Sequence, residues 1–228
     1  MSAPALGYPR LHFRLTDSTN ARGRELAVRG APHGTVVTAA EQSAGRGRHG
    51  RTWSAPARRA LLCSVVIRDP PRLLPLVAGV AVAEMVGPDA SIKWPNDVLV
   101  DGRKVAGILV EGRLQEGWAV VGIGVNVALR LEDFPPELHD RAGTLGFEPG
   151  AIEPTLWALL RELEVWLAAG ADAVLEAVRA RDTLLGREVR WAGGAGMGAG
   201  IDGDGRLLVR TDAGLVALDA GEVHLGGA

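Results

Sequence analysis

The chain has 228 residues, a formal net charge of −2 and 47% hydrophobic residues, which describe a globular protein with one sizeable core, or one core and a small second unit. No apolar run reaches membrane-spanning length and the N-terminus lacks a secretory signal, so we expect no membrane contact. The single cysteine, Cys63, cannot form an internal disulfide, which favours a reducing, cytoplasmic compartment.

Strand and helix patterns alternate through the first part of the chain. A short N-terminal strand leads to a helix that starts near Asp17, Ser18 or Thr19, each a good capping residue, and ends near Gly30. β-Branched and apolar residues predict two further strands, and two prolines after the second one open an apolar helix. These elements are a strand within 34–42, a strand over 60–68 and a helix from Pro70 to about Gly87.

A hairpin is predicted in the middle of the chain. Two apolar runs, SIKWPNDVLV and RKVAGILVEG, are joined by Asp101-Gly102, a dipeptide typical of two-residue turns between antiparallel strands. The segment WAVVGIGVNVAL, which starts at Trp118, is a further strand of the same sheet. Residues 130–150 contain prolines and polar residues and are predicted to form a loop.

The last part of the chain combines helices with strand-like segments. Leucines at helical spacing predict an amphipathic helix, and a second helix should run from about Asp172 to Thr183. Glycine-rich segments with frequent turn signals then predict a small antiparallel β unit. We therefore expect two domains, 1–183 and 184–228. The leucines of the first helix are Leu156, Leu159, Leu160, Leu163 and Leu167.

The stretch EQSAGRGRHGRTW, residues 41–53, contains the G-x-G-x-x-G pattern of dinucleotide-binding turns. Such a turn needs a helix directly after it, yet only residues 51–59, interrupted by Pro56, separate it from the next strand. Glycines let backbone N–H groups approach an anion, and arginines offer paired donors to phosphate or carboxylate. The residue types therefore favour an anion-binding loop over a dinucleotide turn, with a solvated basic loop as the alternative.

The 25 basic residues include only two lysines, Lys93 and Lys104, and the others are arginine. A lysine carries a compact ammonium on a flexible stem, whereas an arginine carries a planar guanidinium. Because arginine serves everywhere else, we hypothesise that at least one of the two lysines has a chemical role. Lys93, beside Trp94, is more readily explained as a structural or surface cation than as a catalyst.

Three motifs, in the order GRGRHGRTW, KWPNDVLVDGRKVAGIL and GIGVNV, resemble those of the biotin protein ligase family. With DSTN near the N-terminus and the C-terminal β unit, the resemblance covers nearly all of the chain. It implies an α+β fold, with a mixed-sheet catalytic domain of the biotin/lipoate ligase type and a small Src-homology-3-like β-barrel. It also implies that biotin and ATP, with Mg²⁺, form biotinoyl-5'-adenylate, whose acyl group passes to a lysine of a biotin carboxyl carrier protein.

The resemblance assigns roles to residues of this chain. Lys104 would be the central catalytic cation, Arg48 would bind the phosphates and retain the adenylate, and Asp97 would position or deprotonate the acceptor amine. Biotin would be bound by Ser18, Thr19, Gln42, Gly45, Arg46, Gly47, Lys104 and Gly107. ATP or the adenylate would be bound by Arg48, Arg51, Trp53, Lys104 and Asn126.

Some of these residues have simpler interpretations. Ser18 and Thr19 could act only as helix caps, and Asn126 could be a turn residue at a strand end. His49 has no second ligand residue at metal-binding spacing, so no metal site is predicted within the chain. Where some relatives carry Asn and Tyr, this chain has Leu61 and Leu62, which keep an apolar wall but lack a hydroxyl.

Other functions compete with the biotin ligase interpretation. Some relatives are also transcriptional repressors with an N-terminal helix-turn-helix, but DSTN begins at Asp17, which leaves no room for one, so we expect no DNA binding. A lipoate or octanoate transferase of related fold and a non-catalytic scaffold are the remaining alternatives. The resemblance is compatible with a homodimer formed through sheet edges.

Overall fold

A seven-stranded mixed sheet with helices on both faces forms the body of the molecule in the computed structural model, which describes residues 6–219 and 223–225. The outer residues of both predicted domains, 1–5 and 226–228, and the segment 220–222 lie outside the described residues. The body comprises β1 (Arg10–Phe13), α1 (Thr19–Val28), β2 (Val36–Ala39), β3 (Ala60–Arg68), α2 (Leu74–Val86), β4 (Ala90–Lys93), β5 (Asp97–Val100), β6 (Arg103–Arg113), β7 (Trp118–Asn126), α3 (Ile152–Leu167) and α4 (Ala171–Ala180).

The strand order is β1-β2-β3-β7-β6-β5-β4, with β1 parallel to β2 and every other neighbouring pair antiparallel. Between β5 and β6, Asp101 and Gly102 both have positive φ angles of 51° and 73°. Two such residues are what a type I′ turn requires, because its twist matches that of the flanking strands. The predicted hairpin is therefore confirmed.

The two faces of the sheet pack against different helices. Odd-numbered residues of β3, such as Leu61 and Val65, are buried in the main core with α2 and α3. Even-numbered residues face the side that carries α1, where Val66 packs against Ala27 of that helix. This alternation is the period of two that a β-strand imposes. It leaves one face for the core and part of the other for a cavity.

Element boundaries differ from the predictions in a few places. The run SIKWPNDVLV, predicted as one strand, is two antiparallel strands, β4 and β5, with residues 94–96 as the turn between them. The turn contains Pro95, which has no N–H for a sheet hydrogen bond, so the strand cannot continue through it. The predicted loop 130–150 contains short 3₁₀ turns. Helix α2 starts at Leu74, not at Pro70, and α4 ends at Ala180, not near Thr183.

The C-terminal unit is a five-stranded antiparallel sheet in the order β11-β10-β9-β8-β12. The edge strands β11 and β12 are not paired with each other within the described residues. Gly196 and Gly198 explain the glycine-rich sequence of this region, because a β-carbon at either would overlap a backbone oxygen, of Arg210 and Leu184 respectively. Its strands are β8 (Glu188–Trp191), β9 (Gly194–Ile201), β10 (Leu207–Thr211), β11 (Gly214–Leu218) and β12 (His224–Leu225).

The C-terminal unit packs on the body close to the turn between β4 and β5. The indole Nε1 of Trp94, a residue only 3% exposed, donates to the Gly205 carbonyl at 2.9 Å. Arg179 of α4 donates to the Ile201 carbonyl at 2.8 Å. The predicted α+β class with a small C-terminal β unit is confirmed, and that unit has a fixed position beside the KWPND motif.

Candidate active site

A cavity of about 140 Å³, partly open to solvent, lies on the face of the sheet that carries α1. Its floor comes from β3, β6 and β7, and its walls come from the start of α1, residues 46–53 of the glycine-arginine loop, the turn 93–97 and Val223 of the C-terminal unit. The motifs that the sequence singled out, which lie far apart along the chain, thus meet around one space.

Glycines on two adjacent strands create this space. Gly122 and Gly124 of β7 and Gly107 of β6 line the floor, where any side chain would protrude into the cavity. A β-carbon at Gly124 would lie 2.5 Å from the Trp53 ring, and one at Gly122 would lie 2.7 Å from the Asn20 side-chain carbon. The glycines of the GIG sequence therefore allow the Trp53 ring and the Asn20 side chain to lie close to the sheet backbone.

One end of the cavity is neutral and its polar groups are bonded to one another. The Gln42 side-chain oxygen accepts from the Thr19 backbone N–H at 2.7 Å and from its hydroxyl at 3.1 Å. The Ser64 hydroxyl lies 2.8 Å from the Thr19 hydroxyl and 2.7 Å from the Asn20 side-chain oxygen. Thr19, Asn20 and Ser64 are nearly fully buried. Buried polar groups that satisfy one another in this way form a rigid network.

Ser18 also lies at the neutral end and is buried. It is the N-cap residue of α1, but its side chain makes no capping hydrogen bond, and its backbone N–H donates to the Asp17 carboxylate at 2.7 Å. The cap-only interpretation of Ser18 therefore does not describe this helix start. Its hydroxyl belongs to the cavity lining.

The glycine-arginine loop folds into a miniature hairpin over the cavity. Arg46 pairs with Thr52 in an isolated antiparallel bridge, and the Trp53 N–H donates to the Gly45 carbonyl at 3.0 Å. His49 at its tip has a φ of 53°, in the left-handed region that a tight reversal needs. A hairpin leaves no helix after the glycines, which excludes a dinucleotide-binding turn of the strand–turn–helix type.

The opposite end of the cavity is strongly cationic. Among the described residues that line the cavity, Asp97 is the one acid. Lys104 Nζ lies 2.6 Å from the Asp97 carboxylate and 5.6 Å from the centroid of the Trp53 ring. The basic residues of the lining are Arg46, Arg48, Arg51, Lys93 and Lys104.

A β-bulge aims Lys104 into the cavity. In the β5–β6 pairing, Val98 faces Ala106 but the next residue, Leu99, faces Lys104, so that Val105 is an extra residue on β6. Such a bulge shifts the alternation of side chains by one position. Lys104 therefore lies on the same face as Gly107, three residues away, where a β-carbon would be 3.1 Å from the lysine Nζ.

Burial perturbs two further cations of this end. It lowers the pKa of the Lys93 ammonium from its ordinary value, with Asp97 opposing the shift and the charges of Lys104 and Arg51 adding to it. Burial also lowers the pKa of the Arg48 guanidinium, with Asp97 again opposing the shift. Arg48 donates to the Asn96 side-chain oxygen at 3.1 Å. Cations held so close together create a strong attraction for a polyanion.

Trp53 lies between the two strands of the floor and the cationic end. Its Nε1–H is buried and has no hydrogen-bond partner among the described residues. A buried indole N–H ordinarily finds an acceptor. The edge of the ring that carries this N–H packs over Gly124, and the side chain itself lines the cavity.

The structure does not bring every residue predicted from the sequence to the cavity. Asn126 is absent from the described lining, and its side-chain amide donates to the Gly143 carbonyl at 2.8 Å, which holds that segment beside β6. Gly45 is buried behind the loop, where a β-carbon would overlap the Trp53 carbonyl. The remaining predicted residues line the cavity: Ser18, Thr19, Gln42, Arg46, Gly47, Arg48, Arg51, Trp53, Asp97, Lys104 and Gly107.

Leu61 and Leu62 have different surroundings. Leu61 belongs to the core on the far face of the sheet, whereas Leu62 lines the cavity and packs near Trp53.

Lys93, interpreted from the sequence as a structural or surface cation, also lines the cavity. The KWPND motif contains both Lys93 and Asn96, so the motif itself was the signal for both. For Ser64, a lone serine in an apolar strand was the available signal.

This architecture suits a ligand with a neutral polar group at one end and a polyanion at the other. The described residues contain no group of three or more His, Cys, Asp or Glu side chains that could bind a metal ion. They also contain no helix long and apolar enough to cross a membrane.

Comparison with known proteins shows which family the chain belongs to. Residues 12–127 match the biotin/lipoate A/B protein ligase family, and residues 184–226 match the biotin protein ligase C-terminal domain. A biotin–[acetyl-CoA-carboxylase] ligase of Mycobacterium tuberculosis is 38% identical, over 92% of this chain and 86% of that protein. The bifunctional ligase/repressor BirA of Bacillus subtilis is 30% identical, over 99% of this chain and 77% of that protein.

Solved structures agree with the sequence relatives. The biotin protein ligase from Aquifex aeolicus, in complex with biotin and ATP, superposes with a TM-score of 0.80 at 28% identity, over 97% of this chain and 100% of that chain. The chain therefore belongs to the biotin protein ligase family, and it is an enzyme of the ligase class. The resemblance seen in the sequence motifs is confirmed.

Proposed function

We propose that this chain activates biotin with ATP as biotinoyl-5'-adenylate and transfers the acyl group to a lysine of a biotin carboxyl carrier protein. The observation that carries the proposal is the polarity of the cavity. A prebuilt neutral network at one end suits an uncharged ring, and a cluster of cations around one carboxylate suits a triphosphate. Membership of the biotin protein ligase family supports the identity of both substrates.

Biotin would bind with its ureido ring at the neutral end. Ser18, Thr19 and Gln42 surround that end with hydroxyl and amide groups, which can both donate to a ureido oxygen and accept from its N–H groups. Leu62 supplies an apolar wall. Gly107 gives the ligand's chain room to cross the floor towards Lys104.

Adenylate formation requires two anions to meet. An oxygen of the biotin carboxylate attacks the α-phosphorus of ATP, an O–P bond forms, and pyrophosphate leaves with the electron pair of the broken bond. Lys104 would neutralise the carboxylate and the α-phosphate, and Arg48 and Arg51 would neutralise the remaining phosphates. Fixed cations in a site that excludes water stabilise such developing charge strongly. Trp53 would stack on the adenine side.

Transfer requires a neutral amine on the carrier lysine. The amine attacks the acyl carbon, an amide bond forms, and AMP departs while the amine gives up a proton. The Asp97 carboxylate is the group we assign to orient this amine and to receive its proton. Its contact with Lys104, at 2.6 Å, would link the two steps, because the same pair would face the acyl group in both.

Mg²⁺ fits this site as a companion of ATP. The ion prefers oxygen ligands and is commonly held by substrate phosphates with one or two carboxylates and water. Asp97 is the carboxylate that the described lining offers, so the phosphates would supply most of the ligands. The ion would neutralise phosphate charge that the cations of the chain leave uncompensated.

The division into a catalytic domain, 1–183, and a C-terminal domain, 184–228, is part of the proposal. The match of residues 184–226 to a C-terminal domain model supports it. A cytoplasmic location, the absence of DNA binding and a homodimer stay predictions. A gel shift at moderate salt and sedimentation at several concentrations would test the last two.

The experiment that tests the proposal is ATP–pyrophosphate exchange, with biotin, lipoate or octanoate as the acid. Biotin-dependent exchange is the expected result. Exchange with lipoate or octanoate alone would leave the mechanism in place but change the substrate. No exchange with any acid would overturn the proposal in favour of a non-catalytic scaffold. Labelling of a purified biotin carboxyl carrier domain then tests the transfer step.

A further inference from the structure

A carboxylate outside the cavity connects the glycine-arginine loop to the body. Glu111, on β6, has one oxygen, Oε2, that accepts from Arg46 of the loop at 3.0 Å and from the Asn20 side chain at 2.8 Å. Its other oxygen, Oε1, lies 3.3 Å from Arg24 on the outer surface of α1. Glu111 is only 24% exposed, whereas Arg46 is 40% exposed.

Asn20 connects Glu111 to the neutral end of the cavity. Its side-chain nitrogen donates to Glu111, while its side-chain oxygen accepts from the Ser64 hydroxyl at 2.7 Å. The Ser64 oxygen lies 2.8 Å from the Thr19 hydroxyl, and the Thr19 backbone N–H donates to the Gln42 side-chain oxygen. An unbroken path of hydrogen bonds therefore runs from the proposed ring site for biotin to the loop.

Arg46 joins the loop to β6 through Glu111, and Arg48 joins it to the turn between β4 and β5 through the Asn96 side chain at 3.1 Å. The other bonds of the hairpin described above, Arg46 with Thr52 and Trp53 with Gly45, lie within the loop itself and would persist if the hairpin moved as a unit. The Arg46–Glu111 pair, by contrast, joins residues 65 positions apart and must break when the loop lifts.

We propose that Glu111 is a positioning residue that holds the glycine-arginine loop closed through Arg46. The inference rests on the proposed function, because the loop then covers the adenylate. Glu111 is not among the described residues that line the cavity. It sets the fraction of time for which Arg48 and Trp53 stay over the cavity, and it ties that fraction to the hydrogen bonds at the neutral end.

The charge of Glu111 is essential to this role. A carboxylate presents acceptor oxygens only, so one oxygen can serve an arginine and an amide donor together. A glutamine at the same position has one oxygen and an NH₂ group, and that group would face either Arg46 or Arg24 as a second donor. Glu111→Gln should therefore weaken the latch, and Glu111→Ala should remove it.

Limited trypsin digestion of the ligand-free protein tests the latch without any turnover. The loop contains the cleavage sites Arg46, Arg48 and Arg51, which are cut only when the loop lifts and extends. Glu111→Ala should raise the rate of cleavage after Arg48 and Arg51 about two- to fivefold, the range for loss of a partly exposed ion pair. Equal rates in Glu111→Ala and wild type would overturn the proposal.

Arg24→Ala is the matched control. It removes the other ion pair of the same carboxylate but has no contact with the loop, so its cleavage rate should equal that of the wild type. An equal increase in both variants would overturn the proposal, because loosening of α1 would then be the cause. Thermal unfolding of each variant establishes that the digested protein is folded.

A double-mutant cycle and an assay of the intermediate complete the test. If Glu111 acts through Arg46, Arg46→Gln and Glu111→Ala should accelerate cleavage by less together than the product of their separate effects. A combined effect equal to that product would contradict the pairing.

In the active enzyme, Glu111→Ala should release biotinoyl-adenylate about two- to fivefold faster with a smaller change in ATP–pyrophosphate exchange. The digestion result stands even if the chain forms no adenylate, so the two proposals can fail separately.

Discussion

The two ends of the cavity are built on opposite principles. At the neutral end, Thr19, Gln42 and Ser64 satisfy one another before any ligand arrives, and most of them are buried. At the cationic end, Arg48 and Lys93 are buried enough for their pKa values to fall, with Asp97 as the single acid of the described lining. The polar groups of the neutral end are hydrogen-bonded to one another without a ligand. The cations of the other end repel one another.

This contrast separates recognition from chemistry. A network whose hydrogen bonds are satisfied is rigid and selects a ligand by its shape and its hydrogen-bonding groups. It supplies little charge to stabilise a transition state. Cations crowded around a single acid reduce the stability of the empty protein and recover that cost when an anion binds. Substitutions at the two ends should therefore affect different observables.

The largest effect is expected from Lys104→Ala at the cationic end. Loss of one cation aimed at the reacting phosphate should reduce biotin-dependent ATP–pyrophosphate exchange by about a hundredfold or more. Arg103→Ala, which removes the neighbouring exposed cation, should leave the rate near that of the wild type. A fall of less than tenfold for Lys104→Ala would mean that the charge of this end is not concentrated at that lysine.

Arg48→Ala should affect retention of the intermediate. Charge-assisted hydrogen bonds contribute about 1.5–3 kcal/mol, so release of biotinoyl-adenylate should accelerate by roughly tenfold to a hundredfold. Labelling of bystander lysines by the released adenylate is the measurement. Unchanged retention would show that the neutral end alone holds the intermediate, and the proposed division of roles would fail.

Alanine substitutions at Gly122 and Gly124 distinguish the two ends directly. The new methyl at Gly122 would press on Asn20, and that at Gly124 on Trp53. Overpacking of about 1–3 kcal/mol corresponds to about five- to 150-fold weaker binding. Calorimetric titration should show a loss of biotin affinity for Gly122→Ala and a loss of ATP affinity for Gly124→Ala. Each variant is the other's control, and an equal loss of both ligands in both variants would contradict the separation.

Lys93→Met should produce the smallest effect, and its sign is informative. Burial lowers the pKa of Lys93 in the folded state below its ordinary value of 10.5, so the folded protein carries a cost for the charge at neutral pH. Removal of that charge should raise the melting temperature of the ligand-free protein by about 2–4 °C for each kcal/mol of relief, while ATP affinity falls.

The pH dependence of this cost provides the control. In the wild type the unfolded chain holds the Lys93 proton more tightly, so the stability of the folded state rises with pH between the lowered folded pKa and 10.5. The stabilising effect of Lys93→Met should therefore fade over that interval. A melting temperature that falls at neutral pH would show that Lys93 is compensated in the empty protein.

Local sequence patterns were sufficient for most elements of the fold. Strand β3 was predicted with its observed bounds, and the turn at Asp101-Gly102 followed from the conformational needs of those two residues. The split of β4 from β5 was missed, because an apolar run with one proline suggests a single strand until the tertiary fold returns the chain at Pro95. The elements predicted most accurately were those whose conformation is determined by residues adjacent in the chain.

The residue types at the site were also readable from the sequence, because anion chemistry needs arginine, lysine and glycine in a loop. Their directions were not. Strict alternation along β6 would place Lys104 and Gly107 on opposite faces, and the bulge at Val105 places them on the same one. Asn126 illustrates the converse, since a motif residue faces Gly143 and not the cavity.

Sequence patterns thus established the elements, the family and the chemistry available, because propensity and turn geometry are properties of adjacent residues. The assembly of the chain settled which cations gather around Asp97, which glycines form the floor of the cavity and which acid contacts the loop. Arg46 and Glu111 are separated by 65 positions, and no local pattern relates them. Their contact exists because the loop and β6 fold against the same face of one sheet.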